Sequence, residues 1–200
     1  DIWSIGQTDP SETRGWLGRY MDTQYPNFPM DYPNATYPDP FAISMGSDVS
    51  LTCQGLMANF SYALSDPSLT VNLPVNAVVN DGSYYGSHME YITTLIDQTN
   101  AYGSEINDAY SLGNSMTTLY DPTNDLAMQL KQVAKLISGG LKSKVYIVSL
   151  NGFDTHDAQV DETDTTQGVH AFLLKMVSDA IYAFMDDIRL LGLSQRVAGI

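Results

Sequence analysis

The sequence predicts an α/β fold, in which a largely parallel sheet is flanked by helices. Residues 145–150 form a short run rich in β-branched and aromatic residues, with Gly140 before it and Asn151-Gly152 after it. Such a run is typical of a strand that is buried on both faces of a parallel sheet. Apolar stripes at helical spacing precede and follow the run. Helix, strand and helix in this order predict a right-handed crossover unit.

Residues 1–83 predict a loop-rich β region. Ser11 is the expected N-cap of a short helix that runs through Met21. Residues 23–40 predict a loop, because their five prolines fix φ and remove backbone donors. The aromatic residues of this loop suit a platform for a sugar or a protein partner, but we favour a surface loop that is held by its own rings. Strands are predicted at residues 41–45, 56–64 and 69–73.

Residues 84–200 predict three helices around the strand. The first helix spans about 84–110, the second follows Asp121-Pro122 and ends at Gly139-Gly140, and the third spans about 167–191. The second helix has a clear core stripe at Leu126, Leu130, Val133, Ala134 and Ile137. The predicted core face of the third helix comprises Leu173, Val177, Ile181, Phe184, Ile188 and Leu191. Val197 is expected to begin another strand, so we interpret residues 1–200 as one incomplete domain of a longer polypeptide.

The charge balance excludes some classes of partner. The chain has 23 acidic and 9 basic residues, which gives a net charge of -14. A nucleic-acid partner is not expected, because phosphate binding needs clustered Lys and Arg. No apolar run is long enough to span a bilayer. An acidic chain rich in polar residues and tyrosine is typical of proteins outside the cytoplasm, where a protein or a glycan is the expected partner.

A polar cluster follows the predicted strand and is the candidate site. Asp154, Thr155 and His156 come directly after it, where ligand sites form in open α/β sheets. A carboxylate and a neutral imidazole make half of a site for Zn²⁺ or a similar divalent ion. His170, expected in the first turn of the third helix, is the nearest further ligand in sequence.

Other interpretations of the cluster stay open. Asp154 and His156 suit a hydrogen-bonded turn in which Asp154 caps backbone donors, and His170 suits a solvated residue at a helix start. The acidic residues between Asp157 and Asp164 could hold Ca²⁺, although such a run is more often only solvated. The chain has no phosphate-binding glycine motif and no nucleophile elbow. Cys53 is in an apolar context far from any histidine, so a catalytic thiol is not expected.

Residues 126–197 resemble a bacterial family known as domain of unknown function 1501. The matching segments are LAMQLKQVAKLISGGL, KVYIVSLNGFDTHDAQ and GVHAFLLKMVSDAIYAFMDDIRLLGLSQRV. The opening Asp1-Ile2-Trp3 and the segment GWLGRY at residues 15–20 are also similar to that family's middle region. Asn151 stands where the family usually has glycine, a change that could alter the turn after the strand.

The resemblance implies a longer exported protein with a twin-arginine signal, in the alkaline phosphatase and sulfatase superfamily. That superfamily has an α/β sandwich and commonly a two-metal site, so the chain would be part of such a sandwich. Asp154 and His156 match the family's Asp-Thr-His motif and would be metal ligands, while His170 matches a histidine of unassigned role. The family's early glycine-rich segment and late Asp-His-Gly segment, which would supply the nucleophile and remaining ligands, do not occur in this sequence.

Two functions follow as expectations. The first is an exported metal-dependent hydrolase of phosphate or sulfate esters that uses Zn, Mn or Ca and is located in the bacterial periplasm or outside the cell. The second is a non-catalytic extracellular or cell-surface protein with a structural or binding role on the same scaffold. Superfamily resemblance is a fold-level analogy, so it does not by itself separate the two.

Overall fold

A computed structural model describes residues 2–69, 72–75 and 81–200. The residue contacts divide into two compact units. The first unit comprises the described residues up to Ser111 together with Leu141–Ile147, and the second comprises Leu112–Gly140 and Val148–Ile200. Part of the strand predicted at residues 69–73 lies outside the described residues, as does Asp1. The single incomplete domain stays a prediction.

The first unit contains a small open sheet of parallel strands. Its strands are β1 (Ala42–Met45), β2 (Ser61–Leu64) and β3 (Val145–Ile147), in the order β2-β1-β3. Ala42 of β1 lies opposite Ser61 of β2 and Val145 of β3. The helices of this unit are α1 (Ile2–Ile5), α2 (Trp16–Gln24), a 3-10 turn (Leu51–Cys53) and α3 (Tyr84–Leu112). The general α/β class with a parallel sheet is therefore confirmed.

The central strand of the sheet is β1 and not the predicted strand after Gly140. All four residues of β1 are buried, whereas the three residues of β3 are only half-buried, so the prediction of a doubly buried strand at residues 145–150 is wrong. The ladder ends at Ile147, and Val148 and Leu150 pack against the helical core of the second unit. Their apolar character therefore reflects helix packing as well as strand formation.

The first helical segment begins later than the sequence predicts. Ser11 does not cap it, because both its backbone N–H and its hydroxyl bind Asp9 Oδ1, at 2.9 and 2.7 Å. Helix α2 begins at Trp16, after Gly15, whose N–H donates to the Gln54 carbonyl at 2.9 Å. The start of α2 is thus set by a contact with a segment distant in sequence.

The proline-rich loop at residues 23–40 is held by its aromatic side chains. The Tyr25 ring stacks on Phe41 with 3.8 Å between centroids, and the Phe28 ring stacks on Phe60 at 4.2 Å. Tyr32 contacts Phe41 edge-on at 5.3 Å. These rings belong to or pack against the apolar core of the first unit. The aromatic rings hold the loop, as the preferred interpretation predicts, but they stack on Phe41 and Phe60 outside the loop, and Phe28 is buried and not at the surface.

The second unit is built on α4 (Asp125–Ser138) and α5 (Val169–Leu190), which pack against each other. The predicted stripe of α4 is buried throughout, and Gly140 follows the helix with a positive φ of 100°. Asn124 caps α4 by accepting from the N–H groups of Leu126 and Ala127, and its amide also donates to the Met176 carbonyl at 2.8 Å. This cap therefore ties the start of α4 to α5.

Two expectations for the end of the chain are wrong. Ile181 is 50% exposed, because the buried face of α5 runs through Ala180, Ala183 and Asp187 instead. Residues 197–200 form no strand, and Ile200 is fully exposed. In the described parts of the chain, every helix is too short or too polar to cross a membrane.

Candidate functional site

The segment that carries the Asp-Thr-His motif is fixed to α4 by an amide side chain. The Ser149 N–H donates to Gln129 Oε1 at 3.0 Å, and Gln129 Nε2 donates to the Ser149 carbonyl at 2.9 Å. These two bonds pair Ser149 with an amide in the way that a neighbouring strand would pair with it, and they lie beyond the end of β3. Gly152 follows with a positive φ of 100°, a conformation that glycine adopts without strain. The chain then turns out into solvent.

Asp154 and His156 approach one another at this turn. The distance between His156 Nε2 and Asp154 Oδ1 is 2.8 Å. Both side chains are open to water, with exposed fractions of 89% for His156 and 83% for Asp154. The hydrogen bond inside the turn joins Thr155 N–H to the Phe153 carbonyl at 3.0 Å. The Asp154 carboxylate thus contacts the His156 imidazole. This differs from the alternative interpretation, in which Asp154 would accept hydrogen bonds from backbone N–H groups of the turn.

An exposed pair of this kind has limited chemistry on its own. Solvent screens the attraction between the carboxylate and the imidazole, so the pair contributes little to stability. The contact uses Nε2, so the imidazole presents this nitrogen beside Asp154 Oδ1. The arrangement therefore supplies one carboxylate oxygen and one ring nitrogen to anything that binds at the turn.

His170 lies in the first turn of α5, as the sequence predicts. Its ring is half-buried and meets the Phe153 ring edge-on, with 6.1 Å between centroids. Its backbone N–H donates to the Gln159 carbonyl at 3.3 Å. His170 is therefore only partly solvated at the helix start, because its ring packs against Phe153, and its role stays a prediction.

The acidic loop uses its carboxylates in local turns. Asp161 Oδ1 accepts from the N–H and the hydroxyl of Thr163, at 2.8 and 2.6 Å, and Asp164 Oδ1 accepts from those of Thr166, at 2.9 and 2.6 Å. The threonine hydroxyl and then the backbone N–H lower the pKa of each carboxyl. Both carboxylates thus accept hydrogen bonds within their own turns. Calcium binding by this loop stays a prediction.

No three His, Cys, Asp or Glu side chains in the described residues come together in a way that could hold a metal ion. His170 therefore does not complete a three-ligand group with Asp154 and His156. A catalytic zinc site has three protein ligands. The pair at the turn is thus at most half of such a site, and metal ligation stays a prediction.

Sequence reasoning missed Asp187, the one fully buried carboxylate among the described residues. Its oxygens accept from the Ser115 hydroxyl at 2.8 Å and from the N–H groups of Met116 and Thr117 at 2.6 and 3.2 Å. The sequence did indicate that Asp187 could be buried, because it lies one residue before Ile188, on the apolar face of the predicted helix. This carboxylate is structural, because its partners are backbone and hydroxyl groups of its own unit.

Cys53 is fully buried, and burial raises the pKa of its thiol to about 11. The thiolate is the reactive form, so we expect iodoacetamide to modify Cys53 in the folded protein at least about a hundredfold more slowly than a free cysteine. Mass spectrometry over time at pH 8 measures this rate, and the same reaction in urea is the control. Rapid modification of the folded protein would show that the thiol is accessible and ionised.

Comparisons with protein-family models, with curated proteins and with solved structures found no match to this chain.

Proposed function

We propose that this chain is part of an exported bacterial metal-dependent hydrolase of the phosphate or sulfate ester class. In this proposal the small parallel sheet belongs to an alkaline-phosphatase-like sandwich, and Asp154 and His156 are two ligands of a divalent ion, Zn, Mn or Ca. The observation that carries the proposal is the 2.8 Å approach of His156 Nε2 to Asp154 Oδ1 at a solvent-open turn. Periplasmic or extracellular location is part of the same proposal.

The geometry of the pair is close to what one ion needs. Zinc binds imidazole nitrogen and carboxylate oxygen at about 2.0–2.2 Å, and tetrahedral angles then separate the two ligand atoms by a little over about 3 Å. The present separation of 2.8 Å is that of a hydrogen bond. A small rotation of either exposed side chain would widen this separation to the one that an ion needs.

Each residue has a defined part in this proposal. A bound divalent ion would act as a Lewis acid on an ester oxygen or lower the pKa of a bound water. Asp154 would neutralise part of the charge of the ion, and His156 would supply the borderline nitrogen ligand that Zn prefers. The remaining ligands and the nucleophile would come from parts of a longer polypeptide.

The His156→Ala variant tests the metal proposal. We expect titration calorimetry to show weak binding of Zn²⁺ to the unaltered chain and at least about tenfold weaker binding to the variant, because a ligand is lost. His88→Ala is the matched control, since His88 is also an exposed histidine and its ring contacts its own helix turn, with Nδ1 at 2.9 Å from the Tyr84 carbonyl.

Two results would contradict the proposal. One is equal Zn²⁺, Mn²⁺ and Ca²⁺ affinity in the unaltered chain and in His156→Ala. The other is a full-length protein that contains no divalent ion by elemental analysis. Hydrolysis of p-nitrophenyl phosphate or sulfate by the full-length protein, lost in His156→Ala and kept in His88→Ala, would establish the ester class.

The second candidate is a non-catalytic extracellular or cell-surface protein with a structural or binding role. It is favoured by a cavity in the first unit whose described lining residues are all uncharged. Metal chemistry needs carboxylate, imidazole or thiolate ligands, and none of these is among the described residues that line the cavity, whereas ligand binding does not need them. Full-length protein that binds a ligand in this cavity but hydrolyses no ester would support this candidate over the hydrolase.

A further inference from the structure

The segment that follows β3 contains an Asn-Gly pair, Asn151-Gly152, and no other asparagine of the chain is followed by glycine. In such a pair, the backbone nitrogen of the second residue can close a five-membered ring on the side-chain amide carbon of the first. A Cβ on the second residue hinders this approach, and glycine has none. The sequence therefore places its least hindered site for attack on an asparagine amide at this turn.

The structure leaves both partners of this ring closure open. Asn151 and Gly152 are exposed, and residues 151–155 belong to no helix or strand. The Gly152 N–H donates to no described residue, and the Asn151 side chain makes no hydrogen bond with any described part of the chain. A backbone N–H that is held in a hydrogen bond would have to give it up before its nitrogen could attack. The fold thus withholds neither the attacking nitrogen nor the amide carbon.

The anchoring of this segment lies before the pair. Gln129 fixes Ser149 with bonds of 3.0 and 2.9 Å, and the next bond is a local one of 3.0 Å within residues 153–155. A Cβ built on Gly152 would meet the Leu173 side chain at ordinary van der Waals distances, 3.6 and 3.8 Å, so the turn is not crowded. Exposed backbone with few bonds rotates at low cost. We therefore expect the pair to reach the ring-closing conformation in the folded protein.

An exposed asparagine of the first unit shows the opposite arrangement. Asn34 Oδ1 accepts from the N–H groups of Thr36 and Tyr37, each at 3.0 Å. Asn34 Nδ2 donates to the Asp31 carbonyl at 2.9 Å, and the residue that follows Asn34 is an alanine. Attack on this amide would break these bonds and would be hindered by a Cβ. Asn34 is thus an internal standard for an asparagine that is exposed but protected.

We propose that Asn151 is a site of spontaneous covalent modification, at which the folded chain converts a neutral side chain into a carboxylate. The Gly152 backbone nitrogen gives up its proton to solvent base and forms a bond to Asn151 Cγ, while the Cγ–Nδ2 bond breaks and ammonia leaves. Water then opens the resulting succinimide. Cleavage of its bond from nitrogen to Cγ gives aspartate at residue 151, and cleavage of its bond from nitrogen to the main-chain carbonyl gives isoaspartate.

Either product changes the turn that carries Asp154 and His156. Both products add a negative charge to the turn before Asp154. Isoaspartate also lengthens the main chain by one atom between Ser149, which α4 holds through Gln129, and Asp154. The modification is therefore a slow, irreversible change in the charge and the length of this turn. It does not require that the turn binds metal, so it stands independently of the hydrolase proposal.

Incubation of the folded chain at pH 8, followed by proteolysis and mass spectrometry, tests the proposal. The tryptic peptide of residues 145–175 contains Asn151 as its sole asparagine, and conversion makes this peptide about 1 Da heavier. We expect Asn151 to convert at least about tenfold faster than Asn34, and to convert in the folded chain at no less than about a fifth of its rate in urea. Isoaspartyl methyltransferase should label the incubated chain at residue 151, because isoaspartate is the substrate of that enzyme.

Asn151→Gln is the matched control, because it keeps an exposed amide but would have to close a larger ring, which forms more slowly. This variant should show neither a mass increase nor a methyl label at residue 151 over the same time. Circular dichroism confirms that it is folded. The proposal is overturned if folding slows the conversion of Asn151 more than about fivefold relative to urea. It is also overturned if Asn34 converts as fast as Asn151, or if residue 151 of Asn151→Gln gains the same mass at the same rate.

Discussion

Replacing Asp187 by alanine is expected to lower the free energy of unfolding of the second unit by about 3 kcal/mol or more. The carboxylate is fully buried and accepts from three donors, which are Ser115 Oγ and the N–H groups of Met116 and Thr117. The variant leaves two backbone N–H groups and a hydroxyl without a partner. Each orphaned buried donor costs about 1–3 kcal/mol, so the losses accumulate.

The neighbouring residue shows why these bonds act together. Asp186 accepts from the Thr117 hydroxyl at 2.7 Å and pairs with Arg189 at 2.6 Å. The segment at residues 115–117 is therefore held to α5 by two consecutive carboxylates, of which only Asp187 is fully buried. Urea denaturation followed by circular dichroism measures the loss of stability.

Two variants make this prediction specific. Asp187→Asn keeps an oxygen acceptor in the same position, so it should recover part of the loss. Asp179→Ala removes a carboxylate from an exposed position on α5, where its partner is Lys175, and should change stability by less than about 0.5 kcal/mol. An Asp187→Ala effect as small as that of Asp179→Ala would show that the segment does not depend on this carboxylate.

Asp187 also shows what helical periodicity can and cannot predict. The pattern of apolar residues gave bounds for α3, α4 and α5 that agree with the structure within two residues at nearly every end, because each helix buries one face along its length. The same pattern of apolar residues predicts that an acidic residue faces solvent. The position of Asp187 beside Ile188 marked the apolar face of the helix, but the loop donors that this carboxylate binds could not be predicted from the pattern.

Strands were harder to predict than helices for a related reason. The run at residues 145–150 has the composition of a buried strand, yet only Val145–Ile147 pairs with β1. Val148 and Leu150 are apolar because they pack on helices. A short apolar run does not distinguish a sheet partner from a helix partner. β1, by contrast, was predicted to within one residue.

The sequence predicts which residues form the candidate site, but it does not predict how their side chains are arranged. Asp154 and His156 are two residues apart, so their proximity follows from the sequence alone. Their close contact and their exposure depend on the turn after Gly152 and on the Gln129 side chain that fixes Ser149. The cavity lined by Gln98 and Tyr102 was not predicted, because its walls come from segments that are far apart in sequence.

Replacing Gly18 by alanine is expected to lower the free energy of unfolding of the first unit by about 2–3 kcal/mol. Gly18 is a buried residue in α2, and a Cβ built on it would lie 2.0 Å from the Gln54 carbonyl oxygen and 2.3 Å from the Gln54 carbonyl carbon. Both are backbone atoms, so the overlap is relieved only if α2 or the segment after the 3-10 turn moves. Urea denaturation followed by tyrosine fluorescence measures the loss.

The sign of this effect is informative, because helix propensity acts in the opposite direction. Alanine stabilises a helix interior by about 1 kcal/mol relative to glycine, so a Gly18 that faced open space would make the variant more stable. Gly15→Ala, which would place a Cβ 2.0 Å from the Thr52 carbonyl oxygen, should destabilise the neighbouring contact with the 3-10 turn. Gly199→Ala meets nothing within 4 Å and should be nearly neutral. A stabilised Gly18→Ala variant would therefore mean that α2 does not lie against Gln54. Destabilisation in both glycine variants would show that Gly15 and Gly18 are required where the two backbones approach closely.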